Sequence, residues 1–350
     1  MEAAESSVLA IDLGGTQIRA AYVTPDLAVL HRAAVPTDDE RGVDVVVGAI
    51  CELAGEVRDA ARDAGLPPPI GACISSPGPL DPWRGIVVAP PNLRGWHDVP
   101  LADRVERALG MPTFLERDTN VAVLSEWRYG AARGTRDAIY ITVSTGIGGG
   151  IILAGQPFHG ADGTAGEVGH VTVELDGPLC GDGQRGHVEA IASGAGIARA
   201  AREALAAGRA PGLARLVAGG AEPDAAAVGH AADEGDADCR AILDHAWEAL
   251  GALCAGLVNL LNPEVIVVGG SIAEHRPELF DRIRAAIGRR AFAIPARRVR
   301  IEPAAHTDDV SLIGALPIVH ERLTDPAYRR GTPIAAQAAT GSPSERSTTP

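Results

Sequence analysis

The sequence predicts an α/β protein built from two halves of related topology, and three observations predict it. A short apolar run at 8–12 meets the turn Gly14-Gly15-Thr16 and a second strand at 18–23. The same order returns at 138–143, where AIYITV meets Ser144-Thr145-Gly146 and the strand GGIILAG. Between and after these hairpins, stretches with apolar residues at helical spacing alternate with buried-type strands, the pattern of a layered α/β fold. At 350 residues the chain is long enough for two domains, each with its own core.

In the first half, 27–35 reads as a third strand. The stretch 42–64 reads as a helix stopped by Gly65-Leu66-Pro67. Strands are expected at 70–75 and 112–116, with a helix at 101–109 between them. In the second half, HVTVEL at 170–175 reads as a further strand, and 239–261 as a long helix with a Leu and Ala face, ended by Asn262-Pro263. The strand EVIVVGG, a helix at 277–289, the strand VRIEPA and a final helix at about 310–323 complete the order. The Ala-, Gly- and Asp-rich stretch 208–238 is expected to form short helices joined by mobile loops, peripheral to the chemistry. From about Asp325 the composition turns to Ala, Thr, Ser, Pro and Gln, and 325–350 is expected to be a disordered tail.

Hydrophobic residues make up 46% against 22% charged, a globular balance, and no apolar run reaches the ~18 residues of a membrane span. The first residues lack the basic and apolar regions of a signal peptide, so a soluble, cytoplasmic protein with no membrane partner is expected. A formal net charge of −14 argues against nucleic acid as a partner. All 31 basic residues are Arg, which excludes both a P-loop lysine and Schiff-base chemistry. The five cysteines, at 51, 73, 180, 239 and 254, form no CxxC pair, so no disulfide framework is expected.

Glycine turns after strands let backbone N–H groups approach phosphate oxygens, and Thr16 and Thr145 add hydroxyl donors. Either turn alone could be a plain hairpin; two at matching places in duplicated halves favour phosphate. Asp12, ending the first strand, could hold Mg2+ directly or through water. Gly269-Gly270-Ser271 follows an apolar strand, where open α/β sheets place ligands, and an adenosine pocket would fit there. Asp118 sits at a helix start, suited to capping it and also to accepting the proton of a sugar hydroxyl. Glu167, His170 and Glu189 are donors and acceptors suited to sugar hydroxyls. His170, Cys180, Asp182 and His187 could close a tetrahedral Zn2+ site; the alternative is a loop held by hydrogen bonds alone.

Taken together, these residues resemble the ROK family of bacterial sugar kinases and repressors, over about 9–323. The resemblance is carried by IDLGGTQIRAA, SSPGPLDPWRGIVVAPPNLRGWHDVPL, ERDTNVAVLSE, TVSTGIGGGII, GTAGEVGHVTV and LNPEVIVVGGSIA. It implies a duplicated ribonuclease-H-like, actin-type ATPase fold of two lobes with a central cleft. A small lobe would take 1–118, with the helix at 310–324 packing back on it, and a large lobe 119–309. The resemblance makes Asp118 the general base. It places Asn92, Glu167, His170 and Glu189 on a hexose, Gly14, Gly15, Thr16, Thr145, Gly146 and Gly148 on the phosphates, and Gly269 and Gly270 beside adenosine. It implies an ATP-dependent sugar kinase, glucose first among substrates, with N-acetylhexosamine and fructose as alternatives, acting as a homodimer.

Two departures stand out. The family's Glu-Asn-Asp is Glu116-Arg117-Asp118 here, and its Cys-x-Cys-Gly-x-x-Gly-Cys loop runs from Cys180 through Asp182 to His187, keeping one of three cysteines. A sugar-responsive regulator is the rival class. The kinase-like strand beginning at Val8 leaves no length before it for a DNA-binding domain, so the enzyme is expected. A sugar-binding protein that has lost turnover is the third reading.

Overall fold

The structure, a computed structural model, describes residues 6–325 and Tyr328. The tail expected over 325–350 lies outside the described residues apart from Asp325 and Tyr328. The described residues form two compact units, one drawn from Met1–Asp118 and Ala315–Pro350, the other Thr119–Gly314.

In the first unit, β1 (Val8–Leu13), β2 (Gln17–Val23) and β3 (Val29–Pro36) run antiparallel in sequence. Helix α1 (Val43–Asp63) follows because its apolar residues recur at three- and four-residue steps. Val46, Val47, Ile50, Leu53, Ala54, Val57 and Ala61 are buried, and the helix lies on β2 and β3. β4 (Ala72–Ser76), buried along its whole length, lies parallel to β1. A small ribbon of β5 (Leu80–Asp81) and β6 (Ile86–Val87) precedes α2 (Leu101–Leu109), which Gly110 stops at a φ of 68°. β7 (Thr113–Arg117) then pairs parallel to β4, giving the sheet order β3-β2-β1-β4-β7.

The second unit opens with α3 (Asp118–Tyr129), whose first residue closes the first unit. β8 (Ala138–Val143), β9 (Ile147–Leu153) and β10 (Gln156–Pro157) form its antiparallel strands. Helices α4 (Val188–Ala192), α5 (Gly194–Ala206), α6 (Pro211–Val217), α7 (Ala225–Asp233) and α8 (Ala237–Leu261) come next. β11 (Val265–Gly269), wholly buried, lies parallel to β8. After α9 (Ser271–His275), α10 (Glu278–Arg290) and α11 (Ala293–Arg298), β12 (Arg300–Pro303) pairs parallel to β11. The order β10-β9-β8-β11-β12 repeats that of the first unit. Three antiparallel strands followed by two parallel ones, twice over, make the duplicated ribonuclease-H-like fold that the motifs implied.

α8 is long and apolar enough to cross a membrane by length and composition alone, and 61% of its most apolar stretch is buried inside the protein. Leu243, Trp247, Leu250, Leu253 and Val258 carry the second unit's core, and Asn262 ends the helix in the left-handed region at φ 47°.

Two expected elements differ. HVTVEL is not a strand: it enters with a 3-10 turn at Val168–His170 and pairs only through an isolated bridge from Thr172 to His187. Its amides are satisfied locally, Val173 N–H donating to the Gly186 carbonyl, so no ladder is needed. The expected final helix is two, α12 (Val310–Ile313) and α13 (Ala315–Thr324). The chain breaks at Gly314, where a Cβ would stand 2.1 Å from the Val121 carbonyl oxygen. α13 packs on β1, β4 and β7, with Pro317 tolerated in its first turn.

Candidate functional site

In the first unit the turn after β1 closes by the Gly14 N–H donating to the Gln17 carbonyl at 2.9 Å. Thr37 braces it: its N–H reaches the Thr16 carbonyl and its hydroxyl the Gly14 carbonyl at 2.7 Å. Gly15 and Thr16 are exposed at its tip. Asn92 packs on it, with 3.3 Å between its Cβ and the position a Gly15 Cβ would take. Asp12 is not idle beside the turn. Its Oδ2 accepts from Arg19 Nη2 at 2.6 Å and Nε at 3.1 Å, the two residues lying opposite in the β1–β2 register. Neither bond uses Oδ1, the oxygen that could hold a Mg2+ ion or its water.

Asp118 is exposed at the carboxyl end of β7, the edge where parallel strands present functional groups. Its predecessors are buried: Glu116 is fully so and Arg117 is 3% exposed. The family's amide position thus holds a buried cation.

In the second unit Ser144-Thr145-Gly146 forms the turn between β8 and β9, and it rests on the start of α5, whose Gly194 and Ala195 N–H groups donate to the Ser144 and Thr145 carbonyls. Gly148 lies inside β9 rather than in the turn. Glu189 Oε2 accepts the Ile147 N–H at 2.8 Å, so this carboxylate braces the turn directly. The loop bearing Glu167 and His170 lies against β9, close enough that a Cβ on Gly169 would meet the Ile147 carbonyl oxygen at 2.1 Å. Thr145, Gly146, Glu167, His170 and Glu189 thus share one neighbourhood.

His170 also turns toward the loop 180–187. Its Nδ1 is 3.3 Å from His187 Nδ1 and 3.4 Å from Asp182 Oδ2, and His187 Nδ1 is 3.3 Å from the same oxygen. Cys180 Sγ stands 4.0 Å from His170 Nδ1, and all four ligand atoms lie within 4.8 Å of one another. A tetrahedron with bonds of about 2.0–2.1 Å to nitrogen or oxygen has edges of about 3.4 Å, so the spacing fits zinc. Two imidazoles, a thiol and a carboxylate form an admissible donor set. His170 can serve two ligands, Nδ1 facing this cluster and Nε2 on the opposite edge of the ring. The Gln184 N–H donates to Asp182 at 3.0 Å and holds its carboxyl below the usual range, keeping it an anion. Burial pushes the Cys180 thiol up, so binding a metal there must release its proton.

The Gly269-Gly270 turn borders the second glycine turn. Gly270 has φ 92°, and a Cβ there would stand 2.6 Å from the Val143 carbonyl oxygen. Ser271 Oγ lies 2.9 Å from Ser144 Oγ. Ser144 and Thr145 of the one turn and Ser271 just after the other line a cavity of about 710 Å³ together with Asp224, Ala225, Gly229, His230, Trp247, His275 and Arg276, whereas Gly146, Gly269 and Gly270 are not among the residues that line it. Arg276 is held by Asp233 at 2.7 Å and Glu278 at 2.7 Å. The stretch 208–238, expected to be peripheral to the chemistry, lines this cavity through α7. The small residues on one face of α7 were the available signal, hidden by an Ala-rich composition all round. The five cysteines are free, and burial pushes the Cys73, Cys239 and Cys254 thiols up to about 12.

The ROK family profile matches residues 8–322. A glucokinase of Thermotoga maritima is 34% identical, over 90% of this chain and 98% of that one. An N-acetylmannosamine kinase of Citrobacter koseri is 32% identical, over 88% and 97%. Among solved structures, a ROK family glucokinase from Streptomyces griseus in complex with glucose and AMPPNP has a TM-score of 0.75 and 30% identity, covering 89% of this chain and 98% of its own. With the duplicated sheets and both glycine turns in place, this chain belongs to the ROK family.

Proposed function

We propose that this chain transfers the γ-phosphoryl group of ATP to the primary hydroxyl of a hexose, with glucose as the foremost substrate. The observation that carries the proposal is the cavity of the second unit, where Ser144 and Thr145 of the glycine turn meet Ser271, the residue after the Gly-Gly turn. A nucleotide of ATP size suits that volume, with phosphates toward Thr145 and adenosine on the side of Ser271, next to the Gly269-Gly270 turn. Gly14, Gly15 and Thr16 offer the matching phosphate turn of the first unit, and Gly148 supports the second from within β9. Similarity to glucokinases over nearly their whole length supports the acceptor.

In this reading Asn92, Glu167, His170 and Glu189 orient the sugar. Asp118 accepts the proton of the hydroxyl as its oxygen bonds to the γ-phosphorus, and the bond from that phosphorus to the bridging oxygen breaks, releasing ADP. Asp12 Oδ1 would hold Mg2+ or its water, and that ion would supply charge neutralisation at the phosphates. Positioning and neutralisation account for most of the rate in such transfers. Zn2+ would be held by His170, Cys180, Asp182 and His187 as a structural ion that fixes the His170 ring. The protein would act in the cytoplasm as a homodimer. Similarity to N-acetylmannosamine kinases favours an N-acetylhexosamine as the second substrate to try. The test is ADP release with and without sugar over glucose, mannose, N-acetylglucosamine, N-acetylmannosamine and fructose. Glucose should give the highest kcat/KM, and no sugar-dependent release from any of them defeats the proposal.

A further inference from the structure

Near the carboxyl end of β7 one guanidinium holds successive residues of the strand that delivers Asp118. Arg322, on α13, is 5% exposed. Its Nη1 donates to the Leu115 carbonyl at 2.7 Å, and its Nη2 pairs with Glu116 Oε2. The other oxygen, Glu116 Oε1, accepts the Arg117 N–H at 2.8 Å, in the peptide just before the one that joins Asp118. Leu115, Glu116 and Arg117 are therefore tied, directly or through one carboxylate, to a side chain more than 200 residues away in sequence. Tyr328 covers the outer face, its ring centroid 4.2 Å from Arg322 Cζ.

A buried ion pair is a poor source of net stability, because desolvating two charges offsets most of their attraction. What it does impose is geometry, since a planar guanidinium satisfies two acceptors only in a narrow set of orientations. Burial disfavours the Arg322 charge, yet the Glu116 carboxylate, Tyr328 and Cys73 together outweigh that and hold the guanidinium above its ordinary pKa.

We propose that Arg322 and Glu116 are positioning residues that clamp the end of β7 and so fix where the Asp118 carboxylate stands, making α13 part of the catalytic apparatus. This rests on the kinase reading in which Asp118 is the base. The clamp places no group on the substrate, so its loss should lower kcat and leave the sugar KM nearly unchanged.

The test uses the full chain. Arg322→Met strands a buried carboxylate and is open to unfolding, so it is paired with Glu116→Gln/Arg322→Met, which leaves no uncompensated charge, and with Arg322→Lys, which keeps the charge but not the two-acceptor fork. For the double variant, kcat per folded molecule should fall by about 10-fold or more, with sugar KM within twofold of wild type. Arg322→Lys should lie between. Amide exchange at Arg117 and Asp118 should speed up at least tenfold, while exchange in β8 stays as in wild type. A kcat within twofold of wild type overturns the positioning role, and unchanged exchange at Arg117 overturns the clamp. Wild-type protein without sugar-dependent ADP release defeats the kinase reading instead, and the exchange rates still decide the clamp.

Discussion

Asp118 stands exposed one residue beyond a buried arginine and two beyond a fully buried glutamate, so an exposed carboxylate is set on a buried base. General-base catalysis contributes about 10²–10⁴-fold in rate. Asp118→Asn keeps size and shape and removes the proton acceptor, so kcat should fall within that range. Calorimetry should still detect sugar binding with affinity close to wild type; residual turnover above a tenth of wild type would remove Asp118 from the role of base. Legibility at this scale was uneven. The place of Asp118 between a strand and a helix and the two glycine turns could be read from sequence because strand ends and turns have local signatures. Arg322 could not, because its partner lies more than 200 residues earlier and a lone Arg on an apolar helix face looks like a solvated residue. Arg19 was missed for a different reason: it lies only seven residues from Asp12, and the exact hairpin register, not the presence of the hairpin, brings the two together.

Individual elements carry two predictions. The loop 180–187 brings an altered donor set within 4.8 Å, so purified protein should contain close to one zinc per chain by elemental analysis. Chelation should raise the KM for sugar through loss of His170 orientation, and His187→Ala should do the same without chelator. A stoichiometry near zero would leave the loop held by hydrogen bonds alone. The second concerns Asp236, the N-cap of α8. Burial acts to raise its pKa, but N–H groups of Cys239, Gly212, Leu213 and Asp238 outweigh it, and the net shift is downward. A group with a depressed folded pKa stabilises above its unfolded value of about 3.9 and loses that stability as pH falls through the folded value. Asp236→Ala should cost about 1–3 kcal/mol at pH 7, more than an ordinary cap because it also leaves the α6 amides unpaired. The loss should shrink below about pH 4, and a melting temperature unchanged by the substitution at pH 7 would show that water replaces the carboxylate. The elements themselves were legible where periodicity was strong: residues 138–143 and the helix ending at Leu261 were read to their boundaries or nearly so. HVTVEL deceived because alternation alone does not supply a pairing partner, and 310–323 because a tertiary approach at Gly314 leaves no trace in the helical pattern.

At the scale of the whole molecule, the repeat of sheet order follows from the repeat of strand, glycine turn and strand in the sequence, and each unit closes over a separate core of its own residues. Charge is distributed very differently from apolar surface. With 45 acidic residues and 31 arginines the chain carries a formal −14, while individual arginines are closely paired, as Arg289 and Arg290 are with Glu248 at 2.7 and 2.6 Å. These two features respond oppositely to salt. Contacts below 4 Å lie well inside the Debye length of about 8 Å at 0.15 M and lose little. Exposed pairs of this kind are worth only about 0–1 kcal/mol in any case. The excess negative charge acts over longer distances, where two like charges ~10 Å apart in water repel by about 0.4 kcal/mol and screening removes most of it. Repulsion summed over the excess should therefore win, and raising NaCl from 10 to 150 mM at pH 7.5 should raise the melting temperature by at least about 2 °C, the shift produced by roughly 1 kcal/mol in a domain of this size. Sodium sulfate matched for ionic strength should give at least the same rise, since sulfate adds surface exclusion to screening. A melting temperature that falls with NaCl would mean that the short arginine pairs, and not the net charge, set the electrostatic stability of the fold.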